Sequence, residues 1–422
     1  MSPSVLFCSG YLLACFCCLL NVDKWGVNLQ WKTCSLIIIG ITAFVIGDSF
    51  GNVVYSQKHF STDDMSSMSY IKISTGKVLA FCLFDILVLV LTMKDILSIS
   101  GGWKSSLGLT VGAYRYAYSY TEAKVSSLVV QLIKISKGAA YAFLYIFMNN
   151  VYVSKKNKYK SPIIRNVGYA LPIMLYVFIT LLRGGRINLV MVLISGLFLL
   201  YFFWHRNVGW NRTISMQFTK RIIIAFIIFA VSFYGVRELV GRQNQLSFFD
   251  YITAYLGGSF ELLDEYIRDG VKGANGLETF PGILQSLQKL GFSSVITHKS
   301  LEFRSTSTGI YLGNIYTGLR RYYNDFGYIG VMTVPFLFGG LFRYLYSNIR
   351  KSKIVNTKIA FLVTIYGSYL FSVISHAMED HFWIDLGVGL IIELFIMWFI
   401  FRCVFDFKLS SAGRIKRARW HE

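Results

Sequence analysis

The stretch Leu171-Pro172-Ile173-Met174-Leu175-Tyr176-Val177-Phe178-Ile179-Thr180-Leu181-Leu182-Arg183-Gly184-Gly185-Arg186-Ile187-Asn188-Leu189-Val190-Met191-Val192 sets two arginines and two glycines between two apolar runs. Residues 167–182 and 187–205 carry no Asp, Glu, Lys or Arg. Runs of about 17 to 20 apolar residues are what a helix needs to cross a hydrocarbon core of about 30 Å. The glycines between them predict a tight turn. The stretch therefore reads as a helical hairpin within a membrane.

The rest of the chain agrees. Ten apolar runs occur, at roughly 4–20, 33–47, 78–93, 138–153, 167–182, 187–205, 222–236, 327–346, 359–375 and 385–405. Mean hydropathy is +0.51, 54% of the 422 residues are hydrophobic, and only 5 are proline, so a soluble fold is excluded. The expected class is an all-α polytopic integral membrane protein with about ten transmembrane helices. Residues 4–20 lack a basic leader and are followed by further spans, so they read as a retained first helix rather than a cleaved signal.

The net charge of +20 is set out as topology. Residues 154–166 hold five basic residues and no acid, 206–221 hold four and no acid, 350–358 hold four and no acid, and 402–422 hold six against two acids. Short basic loops on alternate sides mark the cytoplasmic face. They fit anionic lipid as a partner and exclude a nucleic-acid footprint. Ten spans then put both termini in the cytoplasm, and residues 183–186, 237–326 and 376–384 outside. The expected organisation is helices one to seven over 1–236, a large extracytoplasmic loop over 237–326, and helices eight to ten with a basic cytoplasmic tail over 327–422. One segment conflicts: alternation puts 94–137 outside, yet it holds Lys94, Lys104, Arg115, Lys124, Lys134 and Lys137 against Asp95 and Glu122. Either a span is miscounted early in the chain, or residues 123–136 lie on the membrane surface as an amphipathic helix. All seven cysteines lie in or beside apolar runs, and Cys15-Phe16-Cys17-Cys18 has no flanking His or carboxylate. They read as small apolar helix residues rather than a redox or metal motif.

Chemistry is expected at the outer face. Arg183 and Arg186 there oppose the orientation bias, which leaves two readings. The arginines snorkel to headgroups, or they grip a bound anion in bidentate fashion, with the Gly184 and Gly185 amides joining the grip. The outer loop, with nine basic and nine acidic residues, offers Arg237, Arg242, Arg304, Arg320 and Arg321 as further binding candidates. Arg268, in the run 264–269, reads as part of an exposed charged helix. Asn275-Gly276 and Pro281-Gly282 mark turns. Asn314, Tyr316, Thr317 and Asp325 lie in a stretch of hydrogen-bonding groups and aromatics, where tyrosine rings suit sugar faces. Asp325 alternatively caps the helix that Gly327 opens. The hairpin 375–383 holds His376, Glu379, Asp380 and His381, read as a zinc site, a general base or a plain interfacial turn. No nucleotide-binding motif is present, so an enzyme here uses a pre-activated, membrane-borne donor. Asp85, Arg343 and Glu393 lie within or near apolar runs, which a transporter would favour.

The elements Arg183-Gly-Gly-Arg186, the long outer loop, Gly313-Asn-Ile-Tyr-Thr-Gly-Leu-Arg320 and Tyr323-Asn-Asp325-Phe-Gly-Tyr-Ile-Gly330 together resemble the bacterial oligosaccharide repeat-unit polymerases of the Wzy type, related to O-antigen and capsule polymerases. The resemblance spans roughly 165–345. It implies a GT-C-like helical glycosyltransferase in the bacterial cytoplasmic (inner) membrane. Such an enzyme joins undecaprenyl-pyrophosphate-linked repeat units into a surface polysaccharide, without cofactor or metal. Donor and acceptor are both lipid-linked glycans, and a chain-length regulator protein is an implied partner. Arg183 and Arg186 would stabilise the leaving pyrophosphate. Asp325, Glu302, His298, His376 and His381 remain open as the base, with Asp325 and His376 carried as the catalytic candidates. Three other functions fit the same sequence: an O-antigen-ligase-like transferase, which would leave no ladder of chain lengths, a polysaccharide flippase or transporter, and a non-catalytic membrane scaffold.

Overall fold

The computed structural model describes residues 2–55, 68–121, 123, 125–210, 212–213, 216–238, 240–241, 246–271, 273–292, 300–352, 355–404, 408–409 and 415–416. It is 76% helical with almost no strand. The helices are α1 (Pro3–Leu19), α2 (Val22–Trp25), α3 (Trp31–Val54), α4 (Thr75–Ser100), α5 (Leu107–Tyr120), α6 (Ser127–Lys156), α7 (Pro162–Arg165), α8 (Leu171–Leu182), α9 (Arg186–Val208), α10 (Met216–Gly235), α11 (Phe248–Arg268), α12 (Pro281–Lys289), α13 (Gly318–Lys351), α14 (Thr357–Ile374) and α15 (Val388–Val404). A short antiparallel pair joins β1 (Arg304–Ser305) to β2 (Tyr311–Gly313). Among the described residues each of the ten apolar runs lies largely on a helix. Among the described residues six helical segments are long and apolar enough to cross a membrane: α3, α4, α6, α9, α13 and Thr357–Ala377.

The chain forms two compact units. One comprises Met1–Lys58, Leu246–Lys351 and Tyr369–Ile392; the other comprises His59–Gln245, Ser352–Ser368 and Glu393–Glu422. These units cut across the linear division into helices, loop and helices. The reason is packing, since the expected loop is itself folded against the N-terminal helices.

In the first unit, α3 and the long arm of α13 lie backbone to backbone. A Cβ on Gly47 would overlap the Phe336 carbonyl oxygen, and one on Gly339 would overlap that of Phe44. Small residues at such crossings let membrane helices approach closely. Phe336 meets Gly47 and Arg343 meets Gly51, so the two helices run in the same direction. Arg343 grips Asp48 with both arms, Nε to Oδ1 at 2.7 Å and Nη2 to Oδ2 at 2.8 Å. Phe7, Phe44 and Phe338 fill the space beside them, the first two stacked at 3.9 Å. Gly327, at φ 62° and ψ −147°, breaks α13 into a short helix (318–326) and a long one (328–351). That conformation is nearly exclusive to glycine.

Residues 264–269 are not the exposed helix the charge pattern predicts. They end α11, whose Glu261, Asp264, Tyr266 and Ile267 are buried. Asp264 accepts from Gln30 N at 2.8 Å, from Thr33 Oγ1 and from Arg268 Nε at 2.7 Å, which satisfies the carboxylate inside. Arg268 pairs with Asp264 yet stays exposed, as the charge pattern predicts for that residue. Asn275 and Gly276 do form a turn with positive φ, whereas Pro281 opens α12. A proline at the first helical turn loses no hydrogen bond.

In the second unit, α6 is one continuous helix of 30 residues. Residues 127–136 are its first turns, not a separate surface helix, and Val129 and Ile133 are buried. The sub-spanning α5, 14 residues long, packs on α4 through Tyr114 and Ile96, which also touch Leu182. Three ionisable groups in apolar surroundings have partners here. Ser136 Oγ donates to Asp85 Oδ1 at 2.5 Å, and Lys137 Nζ meets Glu393 Oε1 at 2.7 Å.

Candidate functional site

The second unit gathers arginines at the 183–186 turn. Helix α8 ends in a left-handed glycine cap: Gly184, at φ 77°, donates to Leu181 O at 2.8 Å, and Gly185 N donates to Thr180 O at 2.9 Å. This double bond pattern closes the helix end. It also corrects an expectation, because the two glycine amides serve the cap and do not face a ligand. Arg183 and Arg186 project from either side of the cap. Arg183 Nε donates to Tyr114 OH at 3.3 Å. Arg186, 3% exposed, donates to Phe233 O at 3.0 Å and lies 3.9 Å from the Phe233 ring centroid.

One more arginine arrives from another element, and a second follows the Phe233 that Arg186 reaches. The stem of Arg115, on α5, occupies the space a Cβ on Gly184 would need, and its Nη1 donates to Val240 O at 3.1 Å. Arg237, just beyond α10, lies 3.7 Å from the Tyr234 ring centroid. Among the described residues its Nη1 is buried without a hydrogen-bond partner, and its Nη2 is 3.7 Å from the exposed Glu238. Sequence reading met Arg115 only as a topological anomaly. Its contact with Gly184 gives that anomaly a place. Arg242 lies outside the described residues.

The first unit holds the other candidates, and their arrangement differs. Arg320, 2% exposed, reaches Glu278 Oε2 at 2.7 Å with Nη1, and Glu302 Oε1 and Oε2 at 2.9 and 2.7 Å with Nη2. Its guanidinium lies 4.2 Å from the Tyr266 ring centroid and 4.6 Å from that of Tyr316. Arg304, on β1, pairs with Asp269 and meets Glu302 at 3.3 Å. Arg321 donates to Glu278 O at 2.9 Å. These three arginines, expected to grip an anion, are engaged with protein carboxylates and a carbonyl.

Asp325 does not cap the helix after Gly327. It lies in the short helix before it and accepts the amides of Glu278 at 3.2 Å and Thr279 at 2.6 Å. Tyr316 is buried, and its hydroxyl donates to Glu302 O at 3.2 Å, so its ring meets a guanidinium and not a sugar. Asn314 Nδ2 is 3.5 Å from Leu301 O. Both residues brace the segment before β1 that carries Glu302. Among the described residues Thr317 Oγ1 is buried without a hydrogen-bond partner. Glu278 was not singled out from the sequence, and Leu277-Glu278-Thr279 carries no pattern that could have found it.

His376 is fully buried. Tyr11 OH lies 2.9 Å from Nδ1 and Tyr322 OH lies 2.9 Å from Nε2, while Tyr322 OH also donates to Asp380 Oδ2 at 2.9 Å. Asp380 Oδ1 accepts from Phe382 N and Trp383 N at 2.9 and 3.0 Å. Burial pushes the Asp380 carboxyl above its usual range, against the pull of these amides and of Arg321. His381 lies 3.6 Å from Glu379. Among the described residues no three His, Cys, Asp or Glu side chains converge as metal ligands. His298 lies outside the described residues.

No family model matches the chain, and no curated protein or solved structure matches it.

Proposed function

We propose that the protein is a multi-pass membrane glycan polymerase, GT-C-like with about ten spans. It acts at the outer face of the bacterial cytoplasmic membrane on undecaprenyl-pyrophosphate-linked repeat units. The observation that carries this reading is the meeting of Arg115, Arg183 and Arg186 at one turn at the end of an apolar helix, with Arg237 four residues beyond the Phe233 that Arg186 reaches. Arginine stays charged at every physiological pH and matches phosphate oxygens with a planar fork. A diphosphate leaving group develops negative charge as its bond to the anomeric carbon breaks, and fixed guanidiniums lower that barrier.

In this reaction the acceptor hydroxyl attacks the anomeric carbon of the donor glycan. The carbon–oxygen bond to pyrophosphate breaks with its electron pair on the phosphate oxygen, and the hydroxyl proton leaves to a base. A lipid-linked, pre-activated donor explains why the chain needs no nucleotide-binding motif. The charges within apolar surroundings weigh against transport. Asp48 with Arg343 and Lys137 with Glu393 are matched within the protein, whereas substrate pathways use such residues for cargo.

The test is the product in a host that depends on this gene. Arg183→Ala and Arg186→Ala abolish the polymer ladder while the protein stays at wild-type level in the membrane. A full-length ladder from both variants overturns the assignment, and a single capped repeat in place of a ladder from wild type marks a ligase.

A further inference from the structure

His376, Tyr11, Tyr322 and Asp380 all belong to the first unit and tie together the hairpin 375–383, α1 and the short arm of α13. The backbones come close there. A Cβ on Gly10 would overlap the Ile374 carbonyl oxygen, and one on Gly318 would press on the His376 ring. The four side chains are buried, and their hydrogen bonds run in series. Tyr11 OH is 2.9 Å from His376 Nδ1, His376 Nε2 is 2.9 Å from Tyr322 OH, and Tyr322 OH is 2.9 Å from Asp380 Oδ2.

Counting protons gives the series a direction. A tyrosine hydroxyl has one proton to donate. Tyr322 gives its proton to Asp380 Oδ2, so toward His376 it accepts, and Nε2 carries the ring proton. The His376 ring is wholly buried beside Phe7 and Phe338, with centroids 5.0 and 5.9 Å away. Its hydrogen-bond partners are both hydroxyls, and burying a charge there would be costly, so the ring is neutral. A neutral ring leaves a lone pair on Nδ1, which takes the Tyr11 proton.

We propose that these four residues form a two-state clasp, whose hydrogen bonds all point toward Asp380 while its carboxylate is ionised and all reverse when it takes a proton. In the reversed state Asp380 donates to Tyr322, Tyr322 donates to Nε2, and the ring proton sits on Nδ1 and faces the Tyr11 oxygen. The two states differ by one proton, which water supplies, and no other reactant enters. On reversal the Tyr11 hydroxyl proton loses its acceptor among the rings of Phe7 and Phe260, which is unfavourable for a buried donor. Acid therefore loosens the hold of the hairpin on α1. The clasp needs no substrate and goes beyond the polymerase reading.

The groups that face Asp380 are the Phe382 and Trp383 amides and His376 from its own hairpin, Tyr322 and Arg321 from α13, and Tyr11 from α1. Glu379 and His381, also on the hairpin, lie 3.6 Å from each other. Burial outweighs Arg321, Tyr322 and the amides, so the carboxyl titrates above its ordinary range.

The experiment reads the ring nitrogens of His376 by NMR, in full-length protein carrying isotope-labelled histidine in lipid nanodiscs. Comparison with His376→Gln picks out its signals among the six histidines. Wild type shows Nε2–H at about pH 8, and Nδ1–H replaces it as pH falls toward about 4, the ordinary aspartate range. Asp380→Asn gives the sharper arm. The Phe382 and Trp383 amides donate to Oδ1, so an asparagine sets its carbonyl oxygen there and turns its NH2 toward Tyr322. The reversed state is then locked, and the ring reads Nδ1–H at every pH. Nε2–H in Asp380→Asn overturns the proposal. So does a wild-type ring that keeps Nε2–H down to about pH 4, starts as Nδ1–H at about pH 8, or holds protons on both nitrogens anywhere in that range. Should Asp380→Asn fail to accumulate, Tyr322→Phe decides: a tautomer that no longer follows pH supports the clasp, and one that flips as in wild type sinks it.

Discussion

The two arginine clusters use one side chain for opposite purposes. Around Arg320 the guanidinium is neutralised by Glu278 and Glu302 and sandwiched between two tyrosines, so its work is internal. Around the 183–186 turn the guanidiniums of Arg183, Arg186 and Arg115 meet a tyrosine hydroxyl, an aromatic face and backbone carbonyls, and Arg237 lies on a tyrosine ring with the exposed Glu238 at 3.7 Å. A hydroxyl, a ring or a carbonyl holds an arginine in place without cancelling its charge. What an arginine can do for a ligand depends on what already answers it, and residue type alone does not reveal that.

The comparison breaks most readily by exchanging the two losses. Arg320→Ala leaves two carboxylates facing each other and costs about 3 kcal/mol, seen as a lowered melting temperature. Arg186→Ala leaves the melting temperature within a few degrees and removes polymerisation. Equal melting losses in the two variants would erase the distinction. Next in size, Gly184→Ala forces an alanine to φ 77° and against the Arg115 stem, costing about 1–2 kcal/mol. Adding Arg115→Ala restores part of the stability but none of the activity. Stability effects that simply add would show that the two residues do not touch. A smaller effect, about tenfold in rate, is expected for Arg186→Lys, because lysine keeps the charge and loses the fork. A wild-type rate would reduce the site to bare charge. Smallest is the acid dependence of the first cluster. Glu302 titrates below its usual value in the folded protein, so its contribution is full above about pH 4.5 and fades as pH falls through the lowered value. The melting difference between wild type and Glu302→Gln therefore narrows on acidification, and a constant difference would deny the ion pair.

Much of this was legible in the chain. Apolar runs marked where helices lie, because length and hydropathy act locally. The Arg183-Gly184-Gly185-Arg186 turn was legible for the same reason, since a glycine cap is written in adjacent residues. What escaped reading is non-local. Asp264 looked solvated because its partners, Gln30 and Thr33, lie more than 200 positions away. Arg115 looked like a topological error until Gly184 was found beneath its stem. Glu278 carried no motif, because the three residues that hold it are themselves the motif. Asp325 was recognised as a polar anchor but assigned to the wrong backbone, a helix end in place of the loop before α12.

Gly327 lets two demands coexist that an unbroken α13 would set against each other. In a continuous helix the azimuth of Arg320 would be dictated by that of Gly339, since 3.6 residues make each turn. The single non-helical residue works as a swivel. The short arm can aim its guanidiniums at Glu278 while the long arm keeps its smooth glycine side against α3, and each arm can be altered in evolution without rotating the other out of true.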